Sequence, residues 1–335
     1  ETGMLTSSFC ARLARLCLAA GAFAAIASVH AADWKPEKAV EFVVGTGPGS
    51  GVDNTARIAQ SILQMQKIVE PQITINNKPG GPYAIAFNYL SQYQGDGSKL
   101  VFQTSTPLTA LVTGQFALKY FDFTPVANLI SEPILFMVRT ESPIANGKDL
   151  AQRLKSDPSS VSIALANARG NAFHITAALF ARAAGADAKK LKIVVYNSSG
   201  DAVAALLGGH VDVVSVTPGN FLPLYEAKKI RILGLGSPKR LGGLLATVPT
   251  FKEQGFDVVF DLPRSVMGAK GLSADQVRYW DGVFGRMVKT NEWKQAVQKN
   301  QWEEDYLNSA ELAKSLKEQH EVLKDVLTEI GMAKQ

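Results

Sequence analysis

Apolar positions along this chain fall into two alternating kinds of run. Val40, Phe42, Val43 and Val44 form a short, nearly continuous one, which predicts a buried strand; Val52, Ala56, Ala59 and Leu63 then recur at helical spacing. Between the two runs lie Gly45, Gly47, Gly49 and Gly51. A strand that turns through glycines into a helix N-terminus presents amide donors to an anion. The alternation continues down the chain. QITINN reads as a strand ending at the turn Lys78 to Gly81, with a helix over about Tyr83 to Gln92. KLVFQ reads as a strand running into the polar loop Thr104-Ser105-Thr106-Pro107, ILFMVRT as another strand, and Lys148 to Lys155 as a helix.

A second series repeats this logic without a fixed sequence period. SIALANARGNAFHITAALFARAAG, KIVVYNSSGDAVAALLGG and VDVVSVTPGNFLPLYEA each read as strand, polar loop and helix, and RILGLGSP as a further strand. After Leu272 the chain turns helical and charged, with Ser273 and Ser309 as expected N-caps. Alternating strands and helices predict an α/β protein with mostly parallel sheets. The number of βα units exceeds one small sheet, so two lobes are expected. Residues 33–135 and 238–335 would form one and 136–237 the other, with crossings near 135 and 237. Ligands of such folds sit at the C-terminal ends of the strands.

Composition narrows the class. The leading ETG reads as a cloning scar ahead of Met4. Arg12 and Arg15 then precede the apolar run LCLAAGAFAAIA, and Val29-His30-Ala31 offers small residues for cleavage. This pattern predicts a secretory signal peptide cut after Ala31, too short in its apolar part to span a bilayer, and hence a periplasmic protein. Both cysteines, Cys10 and Cys17, fall inside that leader, so the mature chain would hold no disulfide, thiolate metal site or cysteine nucleophile. The formal charge is +5, of which the leader carries +1, leaving a mild excess of about +4 that is dispersed rather than clustered with aromatics. Nucleic acid is not the expected partner.

The polar loops carry the candidate chemistry. In the first, G-x-G-x-x-G fails because Ser50 or Val52 falls at the last glycine position, and no Gly-Lys-Ser/Thr completes a Walker A loop. What remains is Thr46, Gly47, Gly49, Ser50, Gly51 and Asp53: exposed amides with Ser50 and Asp53 as cap candidates, or else an ordinary tight turn. Thr104, Ser105 and Thr106 form a second loop, and Asn167, Arg169 and Asn171 a third, ahead of the helix that holds His174. The Arg169 guanidinium suits a bidentate pair with a carboxylate, or stands as a solvated surface arginine. His174, in a first helical turn, reads equally as a core or cap histidine. Ser198, Ser199 and Asp201 form a fourth loop, and Thr217 opens a fifth. Five small, largely uncharged strand-to-helix turns suit a carboxylate held by helix N-termini and hydroxyls. No G-x-S-x-G elbow, paired histidines or paired carboxylates nominate an enzyme, and no metal or cofactor is implied.

Several segments together resemble one family, the extracytoplasmic solute receptors of tripartite tricarboxylate transporters, or Bug proteins. VVGTGPGSGVDNTAR resembles the family's first glycine loop, and INNKPGGPYAIA its N-x-P-G-A-G-G strand end. QGDGSKLVFQTST resembles D-G-Y-T-L-L, and FDFTPVANLISEPILFMV the D-F-x-P-V element with the first crossover. ANARGNAFHITAALF, YNSSGDAVAALLGGHVDVV and KRLGGLLATVPTFKEQGFD are similar to its later signatures, so the resemblance covers the mature chain. It implies a two-lobed, type II periplasmic binding protein, acting as a monomer, that closes around a carboxylate and delivers it to a membrane permease. The alternative is a secreted carboxylate sensor that feeds a signalling partner. Carried onto this chain, the gripping loops are Thr46 to Asp53, Thr104 to Thr106, Asn167 to His174 and Ser198 to Asp201. The sequence departs from the family where Pro263-Arg264-Ser265 replaces Trp-Phe-Gly, which makes Arg264 either a cleft-edge anion contact or a lobe–lobe salt bridge. Phe173 and Phe221 add aromatic acids to the dicarboxylates and tricarboxylates worth testing.

Overall fold

The computed structural model describes residues 34–166 and 168–334. The expected leader, both cysteines and Asn167 lie outside them.

The first series of elements is β1 (Val40–Val44), α1 (Gly51–Met65), β2 (Ile73–Asn77), α2 (Ala84–Ser91), β3 (Lys99–Gln103), α3 (Thr106–Val112) and β4 (Thr124–Pro133). The second is β5 (Leu135–Arg139), α4 (Gly147–Ser156), β6 (Ser162–Ala166), α5 (Ala172–Ala183), β7 (Lys192–Tyr196), α6 (Ser199–Leu207), β8 (Val213–Val216), α7 (Leu222–Glu226) and β9 (Ile230–Leu235). The chain then returns as β10 (Asp261–Gly268) and ends in α8 (Ala274–Met287), α9 (Asn291–Asn300) and α10 (Ser309–Glu329).

These strands build two five-stranded sheets, ordered β2-β1-β3-β10-β4 and β7-β6-β8-β5-β9. The two orders are equivalent: three parallel βα strands, one inserted antiparallel strand, then an edge strand. In each sheet the inserted strand is the one that arrives from the other lobe. The sheets are apolar because helices cover them. Phe42 packs on Phe102 at 4.7 Å between ring centroids, and Trp280 stacks on Phe284 at 5.6 Å. In the second lobe Phe136, Phe180 and Phe251 meet pairwise within 5.3 Å.

The strand exchange fixes where the loops point. Leu135 opens β5 opposite Val216 and Leu235, the last residues of β8 and β9. Asp261 opens β10 opposite Pro133, the last residue of β4. Both crossings therefore leave and enter at the C-terminal edges, so the two sets of strand-to-helix loops flank the same connection. That connection is a ladder of three passes. The Gly236 N–H donates to Ile134 O at 2.7 Å, and the Phe260 N–H donates to Gly236 O at 2.8 Å.

The return differs from its expected place near 237. Phe251 is buried beside Phe136 and Phe180, and the Gln254 amide donates to Leu233 O while accepting from the Gly147 N–H. Phe251 and Gln254 thus pack on the second sheet, and the chain enters the first sheet from Asp261. The short 3-10 turns of this segment carry no strand or helix period to mark the passage. Ser273 caps α8 as expected, in a capping box with Gln276. The cap of α10 is Asn308 rather than Ser309, because Glu311 stands three residues after Asn308 and completes its box, while Ser309 Oγ donates to Asp281 at 2.7 Å. This last helix packs on β4 and α3 of one lobe and α5 of the other.

A Cβ added at Gly236 would stand 2.9 Å from Phe260 O, closer than carbon tolerates, and a tight 3.2 Å from Ile134 O. Gly236→Ala is expected to lower stability by about 1–3 kcal/mol, the usual range for overpacking. A denaturant midpoint equal to that of the unsubstituted protein would show that the ladder yields freely.

Candidate functional site

The first loop is folded by one carboxylate. Asp53, in the first turn of α1 and 2% exposed, accepts from the Gly49 N–H at 2.8 Å, Arg57 Nε at 2.9 Å and Asn77 Nδ2 at 2.9 Å. Asn77 at the end of β2 also donates to Thr46 O at 3.0 Å. Burial works against the Asp53 charge, but its donors hold the carboxyl below the ordinary range. Asp53 is therefore turned back into the loop and does not face a ligand. Ser50 is the N-cap, its Oγ accepting from the Asp53 N–H at 3.2 Å and lying 2.6 Å from Thr46 Oγ1. The amides of Gly51 and Val52 keep no acceptor among the described residues, as the first donors of an α-helix require. Gly47 and Gly49 hold the loop open, Gly49 with φ +79°.

Two neighbouring loops complete this edge of the first sheet. Thr104 Oγ1 accepts from the Thr106 N–H at 3.1 Å and lies 2.9 Å from Thr106 Oγ1, and Thr104 and Ser105 are buried at the end of β3. Tyr83, which the sequence reading passed over, caps α2 in a left-handed conformation at φ 66°. Its ring lies directly on Gly45, where a Cβ would come within 2.0 Å of Cδ1. A non-glycine residue in this region carries strain of about 1–3 kcal/mol, which concentrates at functional positions. The one signal for it in the sequence is the Pro-Gly-Gly-Pro turn immediately before it.

In the second lobe, Asn171 caps α5: its Oδ1 accepts from the His174 N–H at 3.2 Å and its Nδ2 donates to Ala166 O at 2.7 Å. His174 Nδ1 accepts from the Gly170 N–H at 2.9 Å, so the ring's own proton sits on Nε2. Burial, helped by the Arg169 charge, drives the His174 pKa down to about 4, and the ring is neutral at pH 7. The Arg169 guanidinium donates to Ile193 O at 2.9 Å, which ties it to the neighbouring strand. Ser198 caps α6 with Asp201 N–H bound at 3.1 Å, and Ser199 begins that helix. Thr217 follows β8, half-buried. Phe173 is buried in the core cluster and Phe221 packs against the second one.

Arg264 lies on β10, 4% exposed, and pairs with Glu132 on the neighbouring strand β4. The pair lies within one sheet, so it is not a bridge between lobes. The guanidinium also overlies the start of α1: a Cβ on Gly51 would be 2.8 Å from Nη2. Two surface depressions, of about 520 and 390 Å³, lie elsewhere, along α4 and at the N-terminal edge of the second sheet. The candidate residues therefore gather at the two C-terminal edges, where the Asp53, Asn171 and Asp201 side chains are held by neighbouring groups and Arg169 spends one N–H on Ile193 O.

Two expectations follow. Asp53→Ala strips three donors of their acceptor and should cost about 1–3 kcal/mol of stability, the range for breaking a buried hydrogen-bonded charge; an unchanged melting point would remove its role as hub. His174 has a depressed folded pKa, so its contribution is full above pH 6.5, the unfolded value, and is lost as pH falls toward 4. The stability difference between the unsubstituted protein and His174→Gln should therefore shrink between pH 7 and pH 4.5, and a difference constant with pH would mean the ring takes up its proton without penalty.

Comparison with known proteins agrees with this geometry. Residues 56–332 match the family model described as the tripartite tricarboxylate transporter family receptor. BugT of Bordetella pertussis is 27% identical over 267 residues, 77% of this chain and 80% of its own. Among solved structures, a protein of R. palustris with adipate superposes with a TM-score of 0.74 at 21% identity, covering 90% of this chain and 99% of that one. MatC of Rhodopseudomonas palustris with bound malate gives 0.70 at 22% identity, covering 87% and 99%. The fold is thus the two-lobed one of periplasmic binding proteins. The chain belongs to the tripartite tricarboxylate transporter receptor family and is a solute-binding protein of the Bug type, not an enzyme.

Proposed function

We propose that this protein is a periplasmic receptor that captures a small organic dicarboxylate or tricarboxylate between its lobes and hands it to the permease of a tripartite tricarboxylate transporter. The observation that carries the reading is the meeting of N-termini: α1 from one lobe and α5 and α6 from the other open on edges that flank the same crossing, each lined by hydroxyls, amides or backbone N–H groups. Such ends attract negative charge without a metal or a buried lysine. The ligand contacts would come from Thr46 to Gly51 and Thr104 to Thr106 on one side. From the other they would come from Asn171, the Ser198–Ser199 turn and Thr217. The malate and adipate held by two structural neighbours support a dicarboxylate as the ligand class. The Arg12–Ala31 leader pattern supports export, and family membership supports the permease as partner. A ligand that touches both lobes favours the closed arrangement by its differential contacts.

The test is a thermal-shift screen of the protein against malate, adipate, citrate and aromatic dicarboxylates, followed by calorimetry. A ligand that binds only the native state raises the melting point by mass action. At least one acid should do so, with a dissociation constant near or below micromolar, about −8 kcal/mol. Silence across the panel would overturn the carboxylate reading.

A further inference from the structure

Four buried side-chain polar atoms among the described residues lack a hydrogen-bond partner, and two of them, Tyr83 Oη and Arg264 Nε, belong to side chains that lie on the loop opening α1; a third, Gln103 Oε1, belongs to an amide that donates to Tyr120 Oη. Tyr83 is 3% exposed, Gln103 1% and Arg264 4%. Buried groups of this kind ordinarily find partners, because leaving one unmade forfeits its solvation. Their grouping is set by the sheet. Gln103 ends β3 opposite Ser265, the residue after Arg264. Arg264 Nε comes within 3.8 Å of where a Gly51 Cβ would stand, and burial pushes the Tyr83 hydroxyl up to about 12 against the lowering pull of the Arg264 charge and of neighbouring Thr104. Tyr83 is held in this direction by its left-handed backbone and by the Gly45 contact.

We propose that the Arg264 Nε–H, the Tyr83 hydroxyl and the Gly51 and Val52 amides form a single anion corner that takes one carboxylate of the ligand, and that Glu132 moderates it. The inference rests on the carboxylate reading above and deepens it. Three kinds of donor converge there, and the carboxylate nearest the guanidinium is Glu132, whose other oxygen accepts from Trp302 Nε1 at 3.1 Å. Glu132 engages Nη2 and leaves Nε free. An incoming carboxylate is therefore met by a directed donor on a guanidinium whose net charge is already balanced. The corner selects by hydrogen-bond geometry, and the charge that would make release slow is held by Glu132.

Three variants separate the corner from a purely structural ion pair. Tyr83→Phe, Arg264→Gln and Glu132→Gln would be titrated calorimetrically with malate, adipate and citrate, alongside ligand-free melting curves. Arg264→Gln and Glu132→Gln break the same pair, so a structural role predicts that both weaken binding. The corner predicts opposite signs: at least tenfold weaker for Arg264→Gln, and about tenfold tighter for Glu132→Gln, because the guanidinium charge is unmasked. Tyr83→Phe should weaken binding about tenfold with little change in the ligand-free melting point, since the hydroxyl loses at most its contact with Thr104. Changes of the same sign in the two pair variants, or a Tyr83→Phe variant that binds normally, would overturn the corner and leave the receptor reading standing. If the unsubstituted protein binds none of the three acids, nor any acid of the wider panel, both fall together.

Discussion

The exchange of one strand between the sheets is the constraint on which the rest of the structure depends. Because β5 and β10 each enter antiparallel to their neighbours, they begin at the C-terminal edge of the sheet they join. Had either joined parallel, its lobe would have turned its strand-to-helix loops away from the crossing. The antiparallel insertion instead sets five loops from two sheets around the passes at Ile134, Gly236 and Phe260. Two short backbone hydrogen bonds, both on Gly236, join the passes there. A ladder with glycine at its middle pass can bend by small changes at each peptide, which is what hinge closure asks of its few terminal residues.

Electrostatics at this edge follow one rule: full charges are held by the protein's own groups, and partial charges are left for the ligand. The Asp53 carboxylate is consumed by Gly49, Arg57 and Asn77, and one N–H of the Arg169 guanidinium is taken by Ile193 O. His174 is neutral because burial removes its proton. What remains at the surface of the site is helix ends, hydroxyls and amides. Each such donor contributes a fraction of a kcal/mol to about 1.5 kcal/mol, and several together reach micromolar affinity without any one dominating.

The architecture was legible in the chain because strand and helix periods alternate so regularly, and the polar loops between them because small hydroxyl and glycine residues break each apolar run. Ser50, Asn171 and Ser198 cap helices as their positions after a strand predict. The return crossing was hidden, since Phe251 and Gln254 belong to the second lobe through packing and side-chain bonds that no local period encodes. Arg169 looked free because its acceptor lies 24 residues away on the next strand. Tyr83 and Glu132 were missed for the same physical reason. One owes its direction to a backbone angle and to a glycine earlier in the chain, and the other reads as an ordinary strand residue until β10 sets Arg264 beside it.

A receptor that serves a transporter has two opposed demands, since it must recognise an anion strongly enough to close and weakly enough to surrender it. A buried, unpaired guanidinium would satisfy the first at the expense of the second, because its attraction for a carboxylate is large where water is excluded. Pairing that guanidinium in advance with a fixed carboxylate lowers the attraction but preserves its directed N–H groups. Glu132 meets the requirement by position as well as by charge: it sits two residues before Ile134, on the strand that becomes the crossing. On the proposed reading, a ligand carboxylate that draws on Arg264 also changes the load on Glu132. Recognition in one lobe is then felt at the point where that lobe joins the other, with no relay longer than a single β-strand turn into the hinge.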